Sequence, residues 1–360
     1  MRRLHVIVAG GDVAGLEAMF ALRALAGSHV DITLLAANRQ FEYRPIQVLD
    51  PLAVHARVRV PLATLVGAAD LRYDRVVSVD VAARRVHTAA GDELPYDALV
   101  IAEPAVPRAV PAGALPLDEA HPLECHSAIS DVLTGRARSL ALVEPVGPTH
   151  PFELYEVAIG TAVALRHRRI AASLTLLTAD ASPLSILGQR VAATLQETLG
   201  AHGVQLVTSA YTRSAETVAA DRVIATPRLA GPRIDGLPCD RDGFLAADVH
   251  GRVLRADGVF AAGDCTTFPI KHPSLAAQQA DAAATSIAAQ AGAPVPPRRF
   301  KPVLRGLLPT RLRWYVEAPL TGGLGDATQI SARPLWPGHL RFDAPYLAPH
   351  LDPEADALAS

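Results

Sequence analysis

The sequence predicts an α/β protein of two doubly wound units followed by a small C-terminal hairpin region, and three observations predict it. An apolar stretch, Leu4 to Ala9, passes through Gly10, Gly11 and Gly15 into an Ala- and Leu-rich stretch from Ala14 to Ala26. A second strand–turn–helix pattern starts at Ser139 to Val143 and enters a helix near Phe152 that runs to Arg168. A further strand, Gly258 to Ala262, stops at Gly263-Asp264 and precedes a long Ala/Gln-rich helix from Ser274 to Ala291. Strands that alternate with helices form parallel sheets, because each crossover has to return the chain to the same end of the sheet.

The first βαβ unit closes with a strand at Val30 to Leu35. A loop is expected at Phe41 to Pro45 and a short helix within Pro51 to Gly67. Arg75 to Val81, Arg84 to Thr88 and Glu93 to Leu94 have the lengths of a small antiparallel meander. It leads into the apolar strand Ala98 to Ala102, after which Pro104, Pro107 and Pro111 mark a crossing between units. In the second unit a strand at Ser173 to Thr178, a helix around Arg190 to Ala201, and strands at Val204 to Val207 and Arg222 to Ala225 complete the alternation. Residues 293–298 read as a linker, and the tail has two strand-like stretches around a turn at Pro309-Thr310.

Composition excludes several classes of function. Half of the 360 residues are apolar, enough for large cores in two or more domains, and the formal net charge is −2. The basic residues are dispersed, so no nucleic-acid partner is expected. The three cysteines, Cys125, Cys239 and Cys265, include no Cys-x-x-Cys, and His121, His126, His150 and His272 lack metal-ligand spacing. No metal site or disulfide framework is expected, and a reducing cytoplasmic setting is the default. No apolar run is long enough to span a bilayer. The first apolar stretch carries Gly10-Gly11-Asp12 in place of a small-residue cleavage site, so it reads as fold and not as a signal peptide.

The turn after the first strand carries the chemistry. Read as G-x-G-x-x-G, its glycines fall at Gly10, position 12 and Gly15, and position 12 is Asp12. The middle glycine ordinarily lets backbone approach a pyrophosphate at the helix N-terminus. A carboxylate puts a side chain and a negative charge there. The acid that should follow about 20 residues later falls at Ala36 or Ala37, leaving Asn38 as the nearest group able to hold a ribose hydroxyl.

In this order the pieces resemble the two-dinucleotide-binding-domain flavoproteins, the pyridine nucleotide-disulfide oxidoreductase superfamily, in the branch of type II NADH:quinone and sulfide:quinone oxidoreductases. The resemblance rests on the N-terminal turn and on Gly258-Val259-Phe260-Ala261-Ala262-Gly263-Asp264-Cys265-Thr266, with Pro269-Ile270-Lys271 and Leu275-Ala276-Ala277-Gln278-Gln279-Ala280. It implies two Rossmann-like dinucleotide-binding domains, one inserted in the other. The FAD-binding-like domain would be residues 1–105 and 237–297, the NAD(P)-binding-like domain 106–236, and the C-terminal region 298–360. It also implies that Gly10, Gly11, Asp12, Ala14, Gly15 and Asn38 flank the cofactor. Asp264 would accept a hydrogen bond from a ribityl hydroxyl, after Gly263. The backbone at Gln278-Gln279 would point a helix N-terminus at the flavin pyrimidine. An ordinary strand-ending turn at Gly263-Asp264 and a solvent-facing Gln278-Gln279 pair are the alternatives.

The departures are as informative. The family's Ala-Thr-Gly element corresponds to Ala102-Glu103-Pro104, and the second glycine turn reads Pro145-Val146-Gly147-Pro148-Thr149-His150. Asp180 could hold a ribose or be a loop-end acid. No redox dithiol is present, which disfavours sulfide oxidation and disulfide reduction. Lys271 and Glu156 are the candidate catalytic groups, Lys271 as a cation near reduced flavin; His272 reads as an exposed loop histidine. Two functions follow. One is a FAD-dependent oxidoreductase passing electrons from NAD(P)H to a quinone or other small acceptor. The other is a cofactor-weakened, non-enzymatic relative acting as a binding or regulatory module, in which Asp12 caps its own helix. Leu307, Leu308, Trp314 and Tyr315 with Arg305, Arg311 and Arg313 suit peripheral contact at the inner face of a membrane. They suit an intersubunit hairpin of a homodimer equally well.

Overall fold

The computed structural model describes residues 2–43, 58–67, 70–118, 122–212, 214–308, 314–320, 327–338 and 340–351. Two five-stranded sheets organise them. In the first, the strand order is Val259–Ala261, Ala98–Ile101, Leu4–Ala9, Val30–Leu35, Asp70–Arg72, and every pairing is parallel. In the second it is Leu115–Pro116, Arg222–Ala225, Ser139–Glu144, Ser173–Thr178, Val204–Val207, again all parallel. The first sheet thus draws on both ends of the chain and the second on its middle. The outgoing crossing, Val106–Pro107, pairs antiparallel with the returning one, Leu229–Ala230.

The helix Val13–Ala26 is apolar nearly all round because it lies between the first sheet and the helix Pro273–Gln290, against which it packs along its length. Small residues at Ala14, Ala18, Ala21, Ala280, Ala283 and Ala284 let the two backbones approach. Leu16, Met19, Phe20 and Leu22 fill the space under them, each contributing about 1.5–3 kcal/mol of burial.

Several sequence expectations need correction. Gln40–Tyr43 is a strand paired with Val58–Pro61, where a loop was expected; alternating burial of Phe41 and Tyr43 explains it. The short helix is confined to Leu62–Val66, and residues 44–57, like the tail turn at 309–313 with Arg311 and Arg313, lie outside the described residues. Cys125 sits in an unforeseen helix, Pro122–Leu133, whose inner face is buried at Cys125, Ile129 and Val132.

The C-terminal region is a three-stranded antiparallel sheet, Val303–Leu308, Trp314–Pro319 and Gln329–Ser331, followed by a segment that returns to the first helix. There Glu17, fully buried, accepts the backbone N–H of Tyr346 at 2.9 Å and of Leu347 at 2.6 Å, and Phe20 stacks on His350 at 3.8 Å. Of the residues expected in an interfacial patch, four are engaged within the fold. Leu307, Leu308 and Tyr315 are buried, Tyr315 against Trp336, and Arg305 is bound by Glu317 and Asp343.

Candidate functional site

A cavity of about 1050 Å³ opens at the carboxyl ends of the strands of both sheets. In open α/β sheets this is where ligands bind, at the point where strand order reverses. In the first sheet that point lies between Leu4–Ala9 and Ala98–Ile101. Gly10 sits there at φ +127°, and a Cβ on it would run into the Ala102 carbonyl oxygen. A Cβ on Gly15 would strike the Gly10 carbonyl. These two glycines therefore hold the strand, the turn and the neighbouring crossover at contact distance. Gly11 packs under Leu62 and Ala36. Asp12, Ala14 and Asn38 line the cavity.

Asp12 does not cap its helix. Its backbone is extended, φ −94° and ψ −172°, its carbonyl accepts Leu16 N–H at 2.9 Å, and its side chain makes no cap hydrogen bond. The carboxyl group instead belongs to the cavity wall. On the crossover, lining the same cavity, is Glu103, whose Oε1 is shielded from water and has no hydrogen-bond partner among the described residues. Burial, then the charge of Asp12, push the Glu103 carboxyl up to about 7.

The second corner of the site is the Gly263–Asp264 turn. A Cβ on Gly263 would lie 2.8 Å from the Cβ of Ala14, so the turn is seated directly on the start of the first helix. Gln279 fixes it from the last helix: its Oε1 accepts Gly263 N–H at 2.7 Å, and its Nε2 donates to Thr266 Oγ1. Asp264 faces the cavity, where its Oδ2 meets His150 Nε2 at 2.9 Å. His150 is the N-cap residue of the helix Pro151–Arg168 of the second unit.

The last helix begins at Pro273, one residue before the expected Ser274, and its first turn is internally satisfied. Pro273 has no N–H, Ser274 N–H donates to His272 Nδ1, and Leu275 and Ala276 N–H donate to the His272 carbonyl. His272 is thus a half-buried cap at the cavity wall rather than an exposed loop residue; burial, then His150, lower its pKa to about 3, so it is neutral. Gln278 ties the helix to the C-terminal sheet, donating to Val303 O and accepting from Val303 N–H. Among the described residues Pro273 and Ala276, not Gln278 or Gln279, line the cavity from this helix.

Lys271 is 3 % exposed, and its ammonium donates to Thr266 O at 2.6 Å and lies 4.2 Å from the centre of the Phe244 ring. Those contacts hold its charge beside Asp264, and Lys271 lines the cavity there. Glu156 lines the cavity but is held in an ion pair with Arg341 of the C-terminal segment. One helix of the second unit therefore reaches the first sheet through His150 and the tail through Glu156.

At the second sheet, Glu144 ends its strand as a buried acid that accepts from Tyr155 OH at 3.1 Å; burial pushes it up to about 7. Gly147 lies under the Arg228 guanidinium, which a Cβ there would meet at 3.0 Å. Asp180 accepts Ser185 Oγ at 3.1 Å. Cys265 points away from the cavity, its thiol donating to Ile101 O, and no group of three or more acidic, His or Cys residues among the described residues could hold a metal. The His150–Asp264 and Glu156–Arg341 pairs escaped the sequence reading, because their partners lie 114 and 185 residues apart with no spacing signal.

Residues 157–285 match the sequence profile of the pyridine nucleotide-disulphide oxidoreductase family. The match begins after the Pro145–Thr149 turn and omits the segments that hold Asp12 and Glu103. No curated protein sequence matches the chain. Among solved structures, sulfide:quinone oxidoreductase from Aquifex aeolicus is similar with a TM-score of 0.77 at 17% identity, over 91% of this chain and 87% of that one. A ferredoxin reductase from Rhodopseudomonas palustris gives 0.64 at 16% identity, over 91% and 82%. Putidaredoxin reductase, in its covalent complex with putidaredoxin, gives 0.62 at 20% identity, over 92% and 87%. Over most of its length the chain thus has the fold of these three solved structures.

Proposed function

We propose that this protein is a FAD-dependent oxidoreductase that passes electrons from NAD(P)H to a quinone or another small acceptor. The observation that carries the proposal is the single cavity joining the Gly10–Gly15 turn to the Gly263–Asp264 turn at the carboxyl ends of the first sheet. Its volume and the close backbone packing at Gly10, Gly15 and Gly263 fit an extended dinucleotide. The domain division at residues 105, 236 and 297 belongs to this reading, with the cofactor on the discontinuous unit.

FAD, when bound, supplies the two-electron redox centre. The chain's own residues would bind and shield it. Asp264 would accept from a ribityl hydroxyl with its carboxylate kept ionised by His150 and Lys271. Asn38 would hold a ribose hydroxyl, and the N–H groups around Gly11 and Ala14 would face the diphosphate. Phe152 and Phe342 wall the cavity and exclude water, and the Glu156–Arg341 pair closes it toward the C-terminal segment. The capped start of the last helix, with Ser274 N–H already engaged, offers a flavin less positive field than an open helix end.

That capping, together with Asp12 and Glu103 on the cavity wall, favours a second reading: a cofactor-weakened relative that uses the fold as a binding or regulatory module. One experiment separates the two. A purified protein that shows the flavin absorption bands, or gains them on incubation with FAD followed by gel filtration, supports the oxidoreductase. A preparation that stays colourless under both conditions supports the module.

A further inference from the structure

We propose that occupancy of the diphosphate end of the cavity is coupled to uptake of a proton by the Asp12–Glu103 carboxyl pair, so that these two residues decide when the site holds its cofactor. The inference rests on the flavin reading and deepens it.

The geometry is fixed by packing. Gly10 has no room for a Cβ because the Ala102 carbonyl occupies that place, and Glu103 N lies 3.1 Å from the same point. The crossover that bears Glu103 is therefore pressed onto the turn that bears Asp12, and both side chains line one end of the cavity. The groups facing Glu103 come from every element around it. They are Asp12 from the glycine turn, Arg75 and the Val76 N–H from the start of the meander, and the Cys265 thiol from the turn after the last strand. Among the described residues Arg75 is the one cation facing it. It does not offset burial and Asp12, since the Glu103 carboxyl stays raised to about 7. Its Oε1 has no hydrogen-bond partner among the described residues. A diphosphate entering here adds negative charge beside two acids, and protonation of one of them lowers the repulsion. The proton comes from solvent, and no bond other than O–H is made or broken.

The test is calorimetric titration of the full-length, flavin-stripped protein with FAD in two buffers of different protonation enthalpy, from about pH 6 to about pH 8.5. The expected result is uptake of nearly one proton per FAD at the alkaline end, with Kd weakening about tenfold per pH unit above neutrality. Glu103→Gln should lose the uptake, flatten the pH dependence and bind more tightly than the parent at alkaline pH. Asp12→Asn, on the exposed side of the turn, should move in the same direction and guards against misfolding of the first variant. Binding of FAD by the parent with no proton uptake, at an affinity Glu103→Gln leaves unchanged, overturns the coupling and leaves the flavin reading standing. Binding by Glu103→Gln or Asp12→Asn where the parent binds none supports it. Failure of parent and both variants to bind FAD at any pH overturns the flavin reading, and the coupling with it.

Discussion

His150 Nε2 and Asp264 Oδ2 meet at 2.9 Å across the cavity, joining the N-cap of a second-sheet helix to the turn that ends the last strand of the first sheet. Burial alone would raise the Asp264 carboxyl. The hydrogen bond and charge of His150, with Lys271 beside it, outweigh burial and hold it below the ordinary carboxylate range. A depressed carboxylate contributes stability above its unfolded pKa, and that stability is lost as pH falls through the folded value. His150→Ala should therefore lower stability at neutral pH by roughly 1 kcal/mol and by less in acid. Thermal unfolding over a pH series checks this. In an Asp264→Asn background the same substitution should have little further effect, because the two residues act as one pair.

Glu17 is the reverse case. Its carboxyl is pushed up to about 8, first by burial and then by Asp281, although two backbone N–H groups lower it. A carboxyl raised in the fold is stabilising while protonated, below its unfolded pKa, and that contribution disappears as pH climbs through the folded value. Asp281, raised to about 7 by burial, acts in the same direction. Stability should decline from about pH 5 to about pH 8.5, and the decline should be shallower in Glu17→Gln. Glu17→Ala leaves the Tyr346 and Leu347 N–H groups without their acceptor, at a cost of about 2–4 kcal/mol for the two. Hydrogen exchange should then accelerate across residues 340–351 before the rest of the chain.

The parallel frame was legible in the sequence because buried strands and their helices leave periodic signals. Val30–Leu35, Ser173–Thr178, Val204–Val207 and Arg222–Ala225 have the ends their apolar runs predict. The glycine turn was legible too, down to the acid at position 12. What escaped depends on contacts far apart in sequence. Nothing near Glu17 announces that it will bind residue 346, and nothing near His272 distinguishes a half-buried helix cap from a loop histidine. The non-enzymatic reading has Asp12 capping its helix, since Asp favours that position. Its backbone does occupy the cap, but the side chain turns into the cavity beside Glu103.

Gly10 and Gly27 both have positive φ, +127° and +49°, yet they should differ sharply in tolerance. A Cβ at Gly27 meets nothing within 4 Å, so Gly27→Ala pays only for a sparsely populated backbone conformation (φ +49°, ψ −117°), about 1–3 kcal/mol. At Gly10 the same methyl collides with the Ala102 carbonyl, and neither strand can yield without breaking the parallel pairing of Ala9 with Ile101. Gly10→Ala should cost upwards of about 4 kcal/mol and yield little soluble protein. Equal denaturant midpoints for the two variants would contradict the packing assigned to the turn.

The cysteines give the most direct check on the chemistry. Burial pushes both Cys125 and Cys265 up to about 12, with Glu153 adding to the effect at Cys125. At Cys265, Lys271 works the other way without reversing it, and the thiol spends its proton on Ile101 O. Reactivity follows the thiolate, so at about pH 8 these two should react with an alkylating reagent some three orders of magnitude more slowly than an unperturbed exposed thiol. Cys239 is exposed and should be modified first. Peptide mapping of the native protein after brief iodoacetamide treatment should find label at Cys239 alone, with Cys125 and Cys265 labelled only after denaturation. Persulfide or disulfide chemistry needs a reactive thiol beside the cofactor, and Cys265 is next in sequence to Asp264, which faces the cavity. Rapid native labelling of Cys265 would bring sulfur chemistry back into this site; its protection confines any electron transfer here to routes without cysteine.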